Sequence, residues 1–477
     1  MPDTGGRSPA QVGQQIGGVW IVQVVQVAAQ FVYAAVTARL ITPAGFGDYA
    51  VALAVFAIFG LLAVLGLGNA AARRSGDDEY GDRLLVTHAI ALGLAVAVAV
   101  GVGASAFSRL WGVQTATSSV AVISIAIAFL PWATVLAGIL RRQGRIREFN
   151  RATLVAGLTS VGLGLPAVWW IDEPWALCIT PVLNQVLLTG LFGLRLGRRA
   201  MPVPSLRGAR ADVTFGAKSM TLSAVNQIAY YVPLWALSRF TTPAVLGSWN
   251  RAVAVGQLPL ESATRAAVTV VFPFFRTRRD DPVAERRAWT DMLVAVALIV
   301  LPVSGVALPL IPAAVTYLLG SQWTLAASMA VWLWAAAAVT VLRTLLGAAL
   351  EASNSFRPLW AAQVVLAIAY LVAAVGVWRT ADWSWFAWAV VVASVASHAV
   401  QIVNARSGLD TSRLVGWYAL ATCGAVVGVV ISVGITQLGL PDWADLFLGA
   451  GVVVAFIGVL WRRRNTIGPF ARLGLKN

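Results

Sequence analysis

Apolar runs of roughly 20 residues, the length a helix needs to cross a bilayer, recur along the chain with only short polar connections between them. They lie near 16–37, 49–70, 84–107, 119–140, 152–171, 175–194, 219–238, 249–272, 291–311, 323–349, 360–378, 384–404, 415–436 and 444–461. The pattern predicts an all-α polytopic membrane protein with about fourteen transmembrane helices. The longest connection, residues 195–216, is rich in Pro, Gly and Arg and reads as a solvated linker.

One polar-apolar pattern is present twice. Residues 38–55 read ARLITPAGFGDYAVALAV and residues 238–255 read SRFTTPAVLGSWNRAVAV. At a constant offset of 200, Arg39 meets Arg239, Thr42 meets Thr242, Pro43-Ala44 meets Pro243-Ala244 and Gly47 meets Gly247. The helix before each copy carries a polar trio on one face, Gln23, Gln26 and Gln30 in the first and Ser223, Asn226 and Tyr230 in the second. A weaker echo pairs Leu140 with Leu350 and Arg147 with Arg357. An even number of spans separates the copies, so they run in the same direction, as parallel repeats. The expected division is an N-terminal lobe at 1–200 (helices 1–6), a cytoplasmic linker at 201–218, a C-terminal lobe at 219–404 (helices 7–12), and two further helices with a basic tail at 405–477.

Composition agrees with the membrane reading: 59% of residues are hydrophobic, 12% are charged and the mean hydropathy is +0.78. The net charge of +15 does not point to nucleic acid, because the cations sit in segments between spans. With the N-terminus in the cytoplasm, 28 of the 35 Lys and Arg fall on the inner side. That is the positive-inside bias, and an even span count leaves both termini inside. The two cysteines, Cys178 and Cys423, lie within spans and support neither a disulfide framework nor a metal site.

The stretch Ala38-Arg39-Leu40, Pro43 and Phe46-Gly47-Asp48-Tyr49, with its helix closing on Gly66-Leu67-Gly68-Asn69, resembles the polysaccharide-transporter branch of the multidrug/oligosaccharidyl-lipid/polysaccharide (MOP) exporter superfamily. So do Leu246-Gly247-Ser248-Trp249-Asn250-Arg251, Leu258-Pro259 and Val271-Phe272-Pro273. Thr42 and Trp249 depart from the residues usual in that family, Gly and Tyr. The resemblance implies two six-helix lobes around a cavity that opens alternately to either side. It also implies a substrate with a polyprenyl tail, a diphosphate and a sugar head, carried from the cytoplasmic to the outer leaflet of a bacterial inner membrane. Partners would be that lipid-linked oligosaccharide, membrane lipids, and a polysaccharide polymerase or glycosyltransferase.

The polar positions then acquire candidate roles. Gln23, Gln26, Gln30, Asn226 and Tyr230 either line a wet cavity and bond to sugar hydroxyls or act as hydrogen-bonding glue between helices. On the eighth span, Asn250, Gln257, Glu261 and Arg265 share a face. Two charges in a span must be paired or wet, so Glu261 and Arg265 either form a structural ion pair or serve the substrate. In the second case Arg265 and Arg251 would meet the diphosphate, and Glu261 would balance them or hold a coupling cation, H+ or Na+. Arg39 and Arg239 form an outer gate or snorkel to lipid phosphates. Arg343 is expected to snorkel to the cytoplasmic interface, and His88 and His398 to pack or hydrogen-bond. With no phosphate-binding loop for a nucleotide, no cofactor is expected. A cation-coupled multidrug exporter of the same superfamily, or a membrane glycosyltransferase or polymerase, are the competing functions. The short outward loops offer an enzyme little room for catalytic groups.

Overall fold

The computed structural model describes residues 25–26, 28–74, 78–205, 207–208, 210–262, 264, 282–353 and 355–469, without the side chains of 210, 218–229, 282, 284–285, 352 and 407. Among the described residues there is helix but no β-strand. The chain divides into two compact units, residues 1–247 and 248–477. This division falls inside a helix, later than the 201–218 connection, because the second copy of the repeated turn packs on the first.

In unit 1 the helices are α1 (28–40), α2 (Pro43–Val64), α3 (Leu67–Arg73), α4 (Glu79–Val102), α5 (Ala104–Leu110), α6 (Thr117–Arg142), α7 (Ile146–Ile171), α8 (Ile179–Leu196) and α9 (Arg210–Phe240). Helix α10 (Pro243–Gly256) crosses into unit 2, which continues with α11 (Pro282–Ala307), α12 (Ile311–Leu319), α13 (Thr324–Ala352), α14 (Arg357–Thr380), α15 (Ser384–Asn404), α16 (Thr411–Thr436) and α17 (Asp442–Arg462). Eleven stretches among the described residues are long and apolar enough to span a membrane. They coincide with the predicted spans except the first, seventh and eighth, which run into residues or side chains outside the description.

The element order repeats as the sequence does. In unit 1 a long helix (α4) breaks at Gly103, a short helix (α5) and a single 3-10 turn follow, and three long helices (α6–α8) complete the series. Unit 2 has the same order in α11, α12, a 3-10 turn at Ser321–Trp323, and α13–α15. Packing repeats as well: α6 lies against α4 and α8, and α7 against α8; α13 lies against α11 and α15, and α14 against α15. Leu140 and Leu350 both sit near the end of a long helix, and Arg147 and Arg357 near the start of the next.

In unit 1 the core is built on α6, with Val135, Leu136, Ile139 and Leu140 buried against Leu67, Leu85, Val86 and Phe192. In unit 2 the strongest packing is α11 on α16. There Gly305 meets the backbone of Ala425, Gly428 meets the backbone of Pro302 and Val306, and the Ser432 hydroxyl donates to the Val306 carbonyl at 2.7 Å. In a membrane, where lipid removes the hydrophobic drive between helices, small residues of this kind allow the close approach that holds them together.

Candidate functional site

The repeated turn folds the same way twice. Helix runs to residue 40, breaks at 41–42 and restarts at Pro43; helix runs to 240, breaks at 241–242 and restarts at Pro243. Thr42 caps α2 by accepting from Gly45 N at 3.2 Å, and Thr242 caps α10 by accepting from Val245 N at 3.4 Å. Threonine at the cap and proline at the first helical position each suit a helix start, since proline lacks the N–H that would go unpaired there.

The two turns also pack on each other within unit 1. A Cβ on Gly47 would collide with the Pro243 carbonyl, and a Cβ on Gly247 would collide with the Pro43 carbonyl. The contact is reciprocal, each glycine facing the other copy's proline, as in an isologous interface between two equivalent parts. A second backbone contact lies beyond the far end of α2. Leu65 and Gly66 both take left-handed backbone (φ 42° and 65°), ending α2, and Gly66 abuts the backbone of Gly216 on α9. Helix α2 is therefore flanked at both ends by backbone-to-backbone contacts. Sequence reasoning singled out Gly47 and Gly247 only as matched letters, whereas Gly216 carried no signal beyond being a glycine beside a predicted span.

Arg39 and Arg239 are both exposed, four residues ahead of the two prolines. Asp48, on the other hand, is buried and accepts from the Thr115 hydroxyl at 2.6 Å. Gly112 packs beside Ser238 and Arg239, so the loop after α5 abuts the end of α9.

The first polar stripe separates residue by residue. Gln26 donates to the Thr153 carbonyl at 3.0 Å, and Gly157 on the same helix leaves room for its amide. It thereby ties α7 to the segment leading into α1. Gln30 is exposed, and Tyr33 is buried with its hydroxyl donating to the Leu177 carbonyl at 3.3 Å. Gln23 lies outside the described residues, as does the side chain of Asn226. Tyr230 is exposed and stands edge-on to Tyr231.

In unit 2, Arg251 is buried and donates to the Asn250 side chain at 2.8 and 3.3 Å. Gln257 and Glu261 are half-buried, while Arg265 lies outside the described residues together with any pairing to Glu261. Arg343 is half-buried. It sits within the span Ser321–Glu351. His398 bonds through Nε2 to the Tyr418 hydroxyl at 3.1 Å, and His88 bonds through Nδ1 to the Leu84 carbonyl at 2.8 Å.

The basic connections expected on the inner side are partly spent on internal contacts. Asp82, fully buried, receives Arg142 at 2.6 Å and Arg199 at 3.5 Å, and Arg142 also donates to the Ala71 carbonyl. Arg74 pairs with Asp212 at 3.0 Å, and the Arg73 guanidinium lies over the Phe215 ring. Arg145 grips both oxygens of Glu148, which holds the guanidinium above its usual pKa. Arg147 and Arg151 are exposed.

Against known proteins, residues 36–328 match the family described as polysaccharide biosynthesis protein, more than half of the chain. The teichuronic acid biosynthesis protein TuaB of Bacillus subtilis (strain 168) is 23% identical over 186 residues, 39% of this chain and 38% of that protein. The match thus spans under two fifths of TuaB's length. The lipid II flippase MurJ, in an inward closed conformation, has the same fold: TM-score 0.74 at 10% identity, covering 93% of this chain and 98% of MurJ. An inward-facing multidrug resistance MATE family transporter of the MOP superfamily is similar with TM-score 0.58 and 17% identity, over 81% of this chain and 98% of that one. The match over residues 36–328 places the chain, whose fold is like that of MurJ, in the polysaccharide biosynthesis protein family.

Proposed function

We propose that the protein is a flippase that carries a polyprenyl-diphosphate-linked oligosaccharide from the cytoplasmic to the outer leaflet of a bacterial inner membrane. The work asked of it is binding and movement, with no bond made or broken. Both termini lie in the cytoplasm, and the substrate is a precursor of a cell-envelope or exported polysaccharide. Gln30 and Tyr230 bond to sugar hydroxyls, arginines meet the diphosphate, and Glu261 balances them or holds a coupling cation. A coupling cation, H+ or Na+, drives the cycle or the membrane potential does so directly.

The observation that carries this reading is the reciprocal contact of the two repeated turns. Alternating access asks for two equivalent parts that close on one side of the membrane and separate to open it. A contact made by carbonyls against Cβ-less glycines is tight when closed. Membership of a polysaccharide biosynthesis family and a fold shared with a lipid II flippase support the substrate class.

The test is transport in proteoliposomes holding a fluorescent polyprenyl-diphosphate oligosaccharide in the inner leaflet. Substrate should appear outside at a rate that depends on protein and on an imposed cation gradient or potential. Failure of the full-length protein to move any such lipid, with uptake of cationic drugs instead, overturns the reading in favour of an exporter.

A further inference from the structure

We infer that an anionic phospholipid of the surrounding bilayer binds in a groove between α4 and the connection that follows α8. The groove measures about 780 Å³ and lies within unit 1. On one side stand Ile90, Ala91 and Leu94 of α4, on the other Pro202, Pro204 and Arg207. The connection is tied to α4. The Val203 N–H donates to the Thr87 hydroxyl at 2.8 Å, and the Arg83 guanidinium donates to the Met201 and Pro202 carbonyls at 3.3 and 3.5 Å. The Val203 carbonyl accepts from Ser205 N at 2.7 Å. Val203 is buried, while the prolines on either side of it are exposed and have no N–H to leave unpaired. Irregular backbone can meet acyl chains only where its polar groups are satisfied in this way.

The polarity of the groove matches a lipid of one leaflet. Arg83, Thr87, Ala91, Leu94, Val98 and Val102 follow one another along α4 at spacings of three or four, on one face. This stripe is charged at the first turn of the span Glu79–Val102 and apolar after Thr87, and its last four residues are all exposed. From Ala91 to Val102 the helix rises about 16 Å, half of a hydrocarbon core of about 30 Å. An acyl chain therefore lies along the stripe with its head group beside Arg83 and Arg207. Among the described residues neither arginine pairs with a carboxylate, whereas Arg142 and Arg199 are spent on Asp82. Two cations without a counter-charge at the mouth of an apolar groove favour an anionic head group over a zwitterionic one. The occupant is a membrane phospholipid and not the cargo, and it braces the connection against α4.

The experiment is native mass spectrometry of the purified full-length protein in detergent, titrated with dioleoylphosphatidylglycerol or dioleoylphosphatidylcholine. Phosphatidylglycerol should bind the wild type more tightly than phosphatidylcholine. Arg207→Gln should weaken phosphatidylglycerol binding about fivefold, the contribution of one basic residue at an anionic surface, and leave phosphatidylcholine unchanged. Arg109→Gln, at an exposed arginine on α5, should change neither. Ala91→Trp fills the groove and should lower the binding of both lipids. Arg207 and Ala91 are exposed, so neither substitution disturbs the buried packing of unit 1. Equal affinity for the two lipids, an equal loss in Arg109→Gln, or undiminished binding in Ala91→Trp overturns the site. Displacement of phosphatidylglycerol by an equimolar polyprenyl phosphate also overturns it, by making the groove a place for cargo.

Discussion

Gly47 and Pro243 meet backbone to backbone: the position a Cβ on Gly47 would take lies 3.0 Å from the Pro243 Cα and nearer still to its carbonyl. Both Gly47 and Gly247 are helical, where alanine would ordinarily gain about 1 kcal/mol over glycine. Here the added methyl strikes a main-chain oxygen that cannot rotate away, and overpacking of that kind costs about 1–3 kcal/mol. Gly47→Ala and Gly247→Ala should therefore disfavour the state in which the turns touch. Spin labels at positions 39 and 239 should report a longer mean separation in either variant than in the wild-type background. An unchanged distance distribution would mean that the contact does not hold the turns together.

The two arginines of the repeat give a separate prediction. As a closing pair of rims, Arg39 and Arg239 should be brought near one another in the closed state, so cysteines in their places should cross-link and block flux. If they only snorkel to lipid, no cross-link forms and Arg39→Ala leaves transport intact.

Gln26 and Gln30 should behave differently although they share a helical face. Gln26→Ala removes the bond to the Thr153 carbonyl and should cost about 0.6 kcal/mol, the average for a hydrogen bond between helices in a membrane. Its transport rate should stay near wild type. Gln30 is exposed, so Gln30→Ala should lower flux or substrate affinity while leaving the unfolding temperature unchanged. Paired measurements of unfolding and flux on both variants check this, and the opposite assignment of effects would exchange their roles.

Asp82 is fully buried between two guanidiniums. Asp82→Asn removes the carboxylate charge that Arg142 and Arg199 share and should destabilise the protein by about 3–5 kcal/mol, the usual loss when one side of a buried ion pair is removed. Arg142→Gln should add little to that loss, because the two substitutions break the same contact. A double-mutant cycle on unfolding free energies tests the coupling, and additive losses would refute it.

Much of the fold was legible before any coordinates. Apolar length alone located the eleven described spans, and the offset-200 repeat anticipated identical breaks at 41–42 and 241–242. Helix ends were less legible. The second span was expected to run on to residue 70, but Leu65 and Gly66 break it in the left-handed region while hydropathy stays high. Apolarity carries no mark of a reversal of φ. The candidate site was legible as residue types but not as partners. A glutamine bonded to a neighbouring carbonyl reads like an exposed one, as Gln26 and Gln30 illustrate. The glycines of the two backbone contacts were invisible as contacts, since nothing in one helix states which carbonyl will lie against it.

The seam between α11 and α16, with Gly305 on Ala425, Gly428 on Pro302 and Ser432 on Val306, gives the last two helices a meaning beyond an appendix. A chain stopped before Thr411 would uncover the surface of α11 around Gly305 and Pro302 and leave the Val306 carbonyl without the Ser432 hydroxyl. Helices α16 and α17 are in that sense the cladding of α11. A truncated protein should be lost to degradation during biogenesis rather than survive as a smaller working transporter.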